Sequence, residues 1–279
     1  MNLQTNPALA ANLEEARHSE TNQLHLSGES LNVTARPSAL LIAAGWERPQ
    51  AVKALLNSGS GPDEGGSGQV SPLHIATARG RNDIISLLLA GGAKPSPQGH
   101  WDRETPLHLA AYHGFVKTAE LLISKGADVE ARCSRGVRPL HVAMDSDKPA
   151  VAKLLLAKGA NVEAKTDRGN SPLHIAARKA GLSTCQLLLQ HGAKVNAKNK
   201  IGWTPLHAAA HACKPEVVEL LLAKGADKTI KGTAGETPLD AVKAISRGRH
   251  LPRSYGEARL LWAARRIEVI KLLSRKRPA

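Results

Sequence analysis

Five histidines, His74, His108, His141, His174 and His207, each close a Ser/Thr/Arg-Pro-Leu-His tetrapeptide, at successive spacings of 34, 33, 33 and 33 residues. Imidazole is the commonest metal ligand and the usual acid–base group near neutral pH, so zinc binding or proton transfer is the first chemistry to weigh. Zinc needs donor nitrogens about 2.0 Å from one point. Histidines carried one per layer, in layers stacked about 8–10 Å apart, do not converge on such a point. The three cysteines, Cys133, Cys185 and Cys213, are 52 and 28 residues apart and form neither a ligand cluster nor a nucleophile arrangement. No Gly-rich phosphate loop opens a helix after a strand. The sequence therefore assigns no catalytic, cofactor-binding or metal-binding residue, and an enzyme is not expected.

The elements that carry these histidines repeat with them. The residue before Pro-Leu-His falls at Ser71, Thr105, Arg138, Ser171 and Thr204, with a variant at Thr237 and a degenerate form at Ser38. A second marker, Gly59, Gly92, Gly126, Gly159, Gly192 and Gly225, follows the first by 21 residues each time. Two markers in one register define a repeating unit. In it, Thr105 or Ser171 is placed to cap a helix, with Pro106 or Pro172 at the first position, where no N–H is needed. Leu107, Ala110 and Ala111 share a face, and Gly114 can end the helix in the left-handed conformation. Val116, Ala119, Leu121 and Leu122 mark a second helix, closed by Gly126. Helices of two turns are unstable alone, so neighbouring layers must supply the stability.

The residues TPLHLAA and LLLAKGANVEAKTDRGN, at this step, resemble the ankyrin repeat family from about Ser38 to Ala241, with a further helix reaching Leu273. The resemblance implies an all-α ankyrin-repeat solenoid of about seven helix-turn-helix units with β-hairpin-like loops, starting near residues 38, 71, 105, 138, 171, 204 and 237. It also implies that each repeated His bonds the adjacent loop backbone and holds the hairpin upright. Leu41 and Asp240 replace it in the outer units. Residues 1–36 are expected to be disordered or a loose cap, and 37–279 to be the repeat domain.

Several departures carry expectations. The Gly-rich stretch NSGSGPDEGGSGQV should couple the first unit loosely to the rest. Arg138 replaces a capping hydroxyl, a loss of roughly 1 kcal/mol. Asp147, Ala180 and Cys213 stand where the first helix usually ends in Gly; Asp tolerates the left-handed region, Gly181 can serve one residue late, and Cys213 requires local adjustment. In the last unit the second-helix pattern IEVIKLLS comes 19 residues late, which predicts a basic insertion at about 247–265 carrying Tyr255 and Trp262. Trp262 packed over the open end would make it a cap.

The resemblance places recognition on the loop tips and the exposed side of the first helix. Here these positions yield Trp101, Asp102, Glu104, Tyr112, His113, Arg135, Asp145, Arg168, Arg178, Lys179, Lys200, Trp203 and His211, with Trp46 in the first unit. Large aromatics and Arg are enriched among binding hot spots. The structural alternative is that such a Trp packs on the next loop. Arg168, Arg178, Lys179 and Lys200 suit an acidic segment of a protein partner.

The net charge is +14, and eleven Lys and Arg against two acids put +9 of it between Ala241 and Ala279. That concentration leaves open nucleic acid or anionic membrane as a partner of the C-terminal region, and SRKRPA leaves open nuclear import. A bacterial effector acting in a host is a third reading, from the polar N-terminus. No apolar run is long enough for a membrane helix and no secretory leader is evident, so a cytoplasmic or nuclear monomer, its odd cysteines reduced, is expected.

Overall fold

The computed structural model describes residues 38–65, 70–99, 103–244 and 256–275, with 256–260 as backbone only. Fourteen α-helices and no strand occur among the described residues. The chain divides into two compact units, one ending at Ser134 and one beginning at Arg135.

The first unit holds α1 (Ala39–Gly45), α2 (Pro49–Asn57), α3 (Pro72–Ala78), α4 (Asn82–Ala90), α5 (Pro106–His113) and α6 (Val116–Ser124). Each odd helix pairs with the even one after it; α1, α3 and α5 stack as one row and α2, α4 and α6 as the other. The second unit repeats the plan with α7 (Pro139–Asp145), α8 (Pro149–Ala157), α9 (Pro172–Lys179), α10 (Leu182–Gln190), α11 (Pro205–His211), α12 (Pro215–Ala223), α13 (Pro238–Ala244) and α14 (Gly256–Ser274). Leu73 and Leu107 in the first unit, and Leu140, Leu173 and Leu206 in the second, lie at one position of successive first helices and are buried. Leu88, Leu122, Leu155, Leu188 and Leu221 do the same in the second helices.

The Pro-Leu-His element explains the helix starts. Ser71, Thr105, Arg138, Ser171 and Thr204 are extended, and each backbone N–H donates to Nδ1 of the His three residues on, at 3.1–3.2 Å. Nε2 then meets a hairpin carbonyl: Glu104 for His74, Ala164 for His141 and Trp203 for His174, each at 2.9 Å, and Glu236 for His207 at 3.3 Å. A carbonyl only accepts and an amide N–H only donates, so in these four Nε2 carries the proton and Nδ1 is bare. Burial holds all four below the usual imidazole range, His141 and His174 down to about 4. In the last unit Asp240 takes over only the capping half, accepting from the Thr237 N–H at 3.0 Å.

Polar side chains join the layers where glycine is absent. Asp147, left-handed at φ 48°, accepts from Thr184 Oγ1 at 2.6 Å and from the Gly181 N–H at 3.2 Å. Cys213 is also left-handed, φ 51°, and buried. Gly181 does not rescue α9 by a left-handed turn: Ala180 and Gly181 are both extended, with ψ 177° and 178°. The Lys214 ammonium caps α9 instead, at 2.8 Å from the Lys179 carbonyl and 2.6 Å from that of Ala180.

The described part of the first loop is bonded on both sides. Ser38 Oγ donates to the Glu64 carbonyl at 2.8 Å, and Asp63 accepts from the Lys94 N–H at 3.0 Å. In the last unit, residues 256–265 run without a break into IEVIKLLS as α14, because the segment holds no Pro and is rich in Ala, Leu and Arg.

Arg138 lacks the hydroxyl that lies 2.8–2.9 Å from Nδ1 in the other four units. Arg138→Thr is expected to raise stability by about 1 kcal/mol. A urea midpoint that stays put or falls would contradict this.

Candidate partner-binding surface

In the second unit each hairpin closes on itself: Thr166 N–H to the Asn170 carbonyl at 3.0 Å, Asn199 to Trp203 at 2.9 Å and Gly232 to Glu236 at 2.8 Å. Gly169 is required, since it has φ 77° and an added Cβ would come 2.8 Å from the Lys200 nitrogen. Consecutive tips are bonded to each other. The Asp167 N–H donates to the Arg135 carbonyl at 2.8 Å, Lys200 to Arg168 at 3.1 Å and Thr233 to Ile201 at 3.0 Å. Asn199 Nδ2 also donates to Asn170 Oδ1 at 2.8 Å.

Between these tips and the first helices α9 and α11 lies a cavity of about 440 Å³. Arg168, Arg178, Lys200, Trp203 and His211, all predicted from the sequence, line it together. Asp145 joins the same surface through an ion pair with Arg178 at 3.6 Å. Arg135 is exposed on the neighbouring tip, with φ 63°, and Lys179 is exposed at the end of α9. Asp167, Asn199, Ile175, Ile201 and Ala208 also line the cavity and were not among the predicted residues. Ile201 stands at the same repeat offset as Arg168 and is 51% exposed, so the offset that found Arg168 identifies it too.

Trp203 is half-buried and already engaged. Its indole N–H donates to the Glu236 carboxylate, which holds that carboxyl below its usual range. Its ring stacks on His207, centroids 5.8 Å apart, and tilts against His211 at 5.5 Å. Trp203 is therefore a wall positioned by the next hairpin, and its packing there belongs to the structural alternative as much as to recognition.

The other predicted residues lie elsewhere. Glu104, Tyr112 and His113 are in the first unit; Tyr112 meets His113 edge-on at 5.1 Å, and His113 stacks on Phe115 at 5.2 Å. Trp46 is half-buried with the Arg48 guanidinium 5.6 Å above its ring. Trp101 and Asp102 lie outside the described residues, as do the 1–36 segment, Tyr255, and Arg247, Arg249, Arg253, Lys276 and Arg277 of the basic region. Trp262 is half-buried on α14. Arg266 donates to the Val242 carbonyl at 3.2 Å, and Arg265 is 3.9 Å from Glu216, contacts within the fold.

The reactive groups are taken up by the structure. The repeated imidazoles are bonded to backbone, and burial pushes the Cys185 thiol up to about 12 and that of Cys213 above its usual value.

Comparison with known proteins agrees with this architecture. A family description of ankyrin repeats in three copies matches residues 9–99, 91–166 and 140–232. The chain belongs to the ankyrin repeat family. Among curated relatives, this ankyrin repeat protein is 33% identical over 102 residues to the ankyrin repeat and KH domain-containing protein mask-1 of Caenorhabditis elegans, a match covering 36% of the chain and 4% of that protein. It is 34% identical over 98 residues to NF-kappa-B inhibitor alpha of Homo sapiens, covering 33% of the chain and 31% of the relative. The chain thus spans less than a third of the length of either. The solved ankyrin repeat domain of Bcl-3, described as a unique member of the IkappaB protein family, superposes with a TM-score of 0.68 at 31% identity, covering 85% of this chain and 97% of that one. The fold class is the all-α repeat solenoid, which serves generally as a scaffold for protein–protein interaction. Among the described residues no helix is long and apolar enough to cross a membrane.

Proposed function

We propose that this ankyrin repeat protein is a non-enzymatic binding module that takes an acidic segment of a protein partner on the hairpin tips and first helices of its second unit. One observation carries the reading: Arg168, Arg178, Lys200, Trp203 and His211, placed on the recognition surface by the family resemblance, line one cavity. Cations at its rim accelerate encounter with an acidic partner, while the apolar wall contributes to the lifetime of the complex. The non-enzymatic part is supported by the commitment of the imidazoles to backbone carbonyls and by the raised thiols of Cys185 and Cys213. No cofactor is proposed.

The test is capture of partners from lysate by the immobilised chain and by a variant carrying Arg168→Glu, Arg178→Glu and Lys200→Glu. The variant is expected to lose about tenfold or more of the captured material at unchanged helical circular dichroism. Equal capture by the two proteins would remove this surface from consideration.

A further inference from the structure

The tips of the second unit form a ladder of equivalent residues joined by backbone bonds. Arg135 and Arg168 occupy the same offset in successive repeats; at that offset the third repeat has Ile201, with Lys200 beside it. The inter-tip backbone bonds hold these rungs in register. The three cations are exposed, and among the described residues none of them is in an ion pair. Equivalent residues in stacked helical layers recur about every 8–10 Å. We infer that the acidic segment is a linear peptide in a polyproline-II-like conformation, with carboxylates at positions i and i+3 on Arg135 and Arg168 and an aliphatic side chain at i+6 on Ile201, beside Lys200. This inference rests on the binding reading above and specifies its ligand.

The step selects the conformation. A polyproline-II chain has three residues per turn and rises about 3.1 Å per residue, so side chains three apart share a side and lie about 9 Å apart. A β-strand returns to the same side after about 7 Å and an α-helix after about 5.4 Å; neither keeps pace with the layers. Arginine meets a carboxylate in a two-pronged bond, which suits the first two rungs. At the third rung, exposed Ile201 stands with Ile175 and Ala208 in the cavity, a place for an aliphatic side chain. That apolar patch offers nothing to a phosphate backbone, and the Trp203 ring already stacks on His207, which favours peptide over nucleic acid. Asp145 does not oppose the carboxylates freely, since it pairs with Arg178 at 3.6 Å.

Fluorescence anisotropy with the full chain tests this. The probes are a labelled peptide with Glu at positions i and i+3 and Leu at i+6, a peptide of the same composition with those three residues contiguous, and a thymidine oligonucleotide. The spaced peptide is expected to bind about tenfold or more tightly than the contiguous one, and Arg135→Glu with Arg168→Glu to remove that preference. Equal binding of the two peptides, or tighter binding of the oligonucleotide, overturns the inference. If neither peptide binds while lysate capture still depends on Arg168, Arg178 and Lys200, the peptide inference falls and the binding reading stands. If both capture and peptide binding are absent, both fall. Circular dichroism of the double variant, expected to match the parent, separates lost binding from lost fold.

Discussion

Lowering the pH from about 7 to about 4 is expected to unfold the protein, with most of the loss in stability falling between about pH 6.5 and pH 4. The cause is the buried histidine at the start of each inner repeat. His74, His141, His174 and His207 are neutral, with Nδ1 accepting from a backbone N–H and Nε2–H donating to a hairpin carbonyl. Protonating Nδ1 sets one N–H against another and charges a buried ring. An unfolded histidine titrates near 6.5, whereas burial holds His141 and His174 at about 4. Between those values the unfolded chain binds more protons than the folded one, so stability rises with pH there and is lost on acidification. Each of these two contributes about 3 kcal/mol to the loss, and His74 and His207 act in the same direction. Domain stabilities are about 5–15 kcal/mol, so a loss of this size is comparable with the whole margin at the lower end of that range. Glu47, Asp83 and Asp240 are held below the usual carboxylate range and also weaken the acid form, but only below about pH 4.5. Urea midpoints across this range check the expectation; a midpoint unchanged between about pH 7 and pH 5 contradicts it. His174→Gln keeps an acceptor for the Ser171 N–H and should flatten the profile by one histidine's share.

Leu173→Ala is expected to cost about 2–5 kcal/mol, the range for emptying a buried leucine site. Leu173 is fully buried on α9, which packs against both α7 and α11, so the cavity weakens two layer interfaces. At the corresponding position of α13, Leu239 is only half-buried. Leu239→Ala should therefore cost about 1 kcal/mol or less. Repeat stability is a sum of layer and nearest-neighbour terms, which makes this gradient a direct reading of the stack. Equal denaturation midpoints for the two variants would contradict nearest-neighbour packing.

Much of the fold was legible because its causes are local. Ser or Thr before Pro-Leu-His starts a helix by capping, and Gly114, Gly126 and Gly159 mark left-handed turns, φ 80°, 89° and 88°. Where the local signal was missing, the compensation came from another layer and was not legible. Gly181 was the nearest candidate to end α9 by sequence, but the cap comes from Lys214, 35 residues from Lys179. Likewise the bond from the Lys94 N–H to Asp63, made from the following repeat, has no signal in the composition of the first loop. Continuity of α14 was decided by helix propensity through a stretch that the repeat count alone would mark as an interruption.

The site divides in the same way. The offsets that the family resemblance marks for recognition found Arg168, Arg178, Lys200, Trp203 and His211, because each such offset of a regular stack faces one surface. It did not reveal that Trp203 gives its N–H to Glu236 and a ring face to His207, or that Ile201 completes an apolar wall. By itself, then, the sequence determined the period, the caps and the family, since these depend on residues within one repeat. Only the tertiary structure decided which cations border an apolar cavity and which side chains are already occupied, because those relations are made between repeats some 33 residues apart, where backbone bonds and layer spacing set the distances.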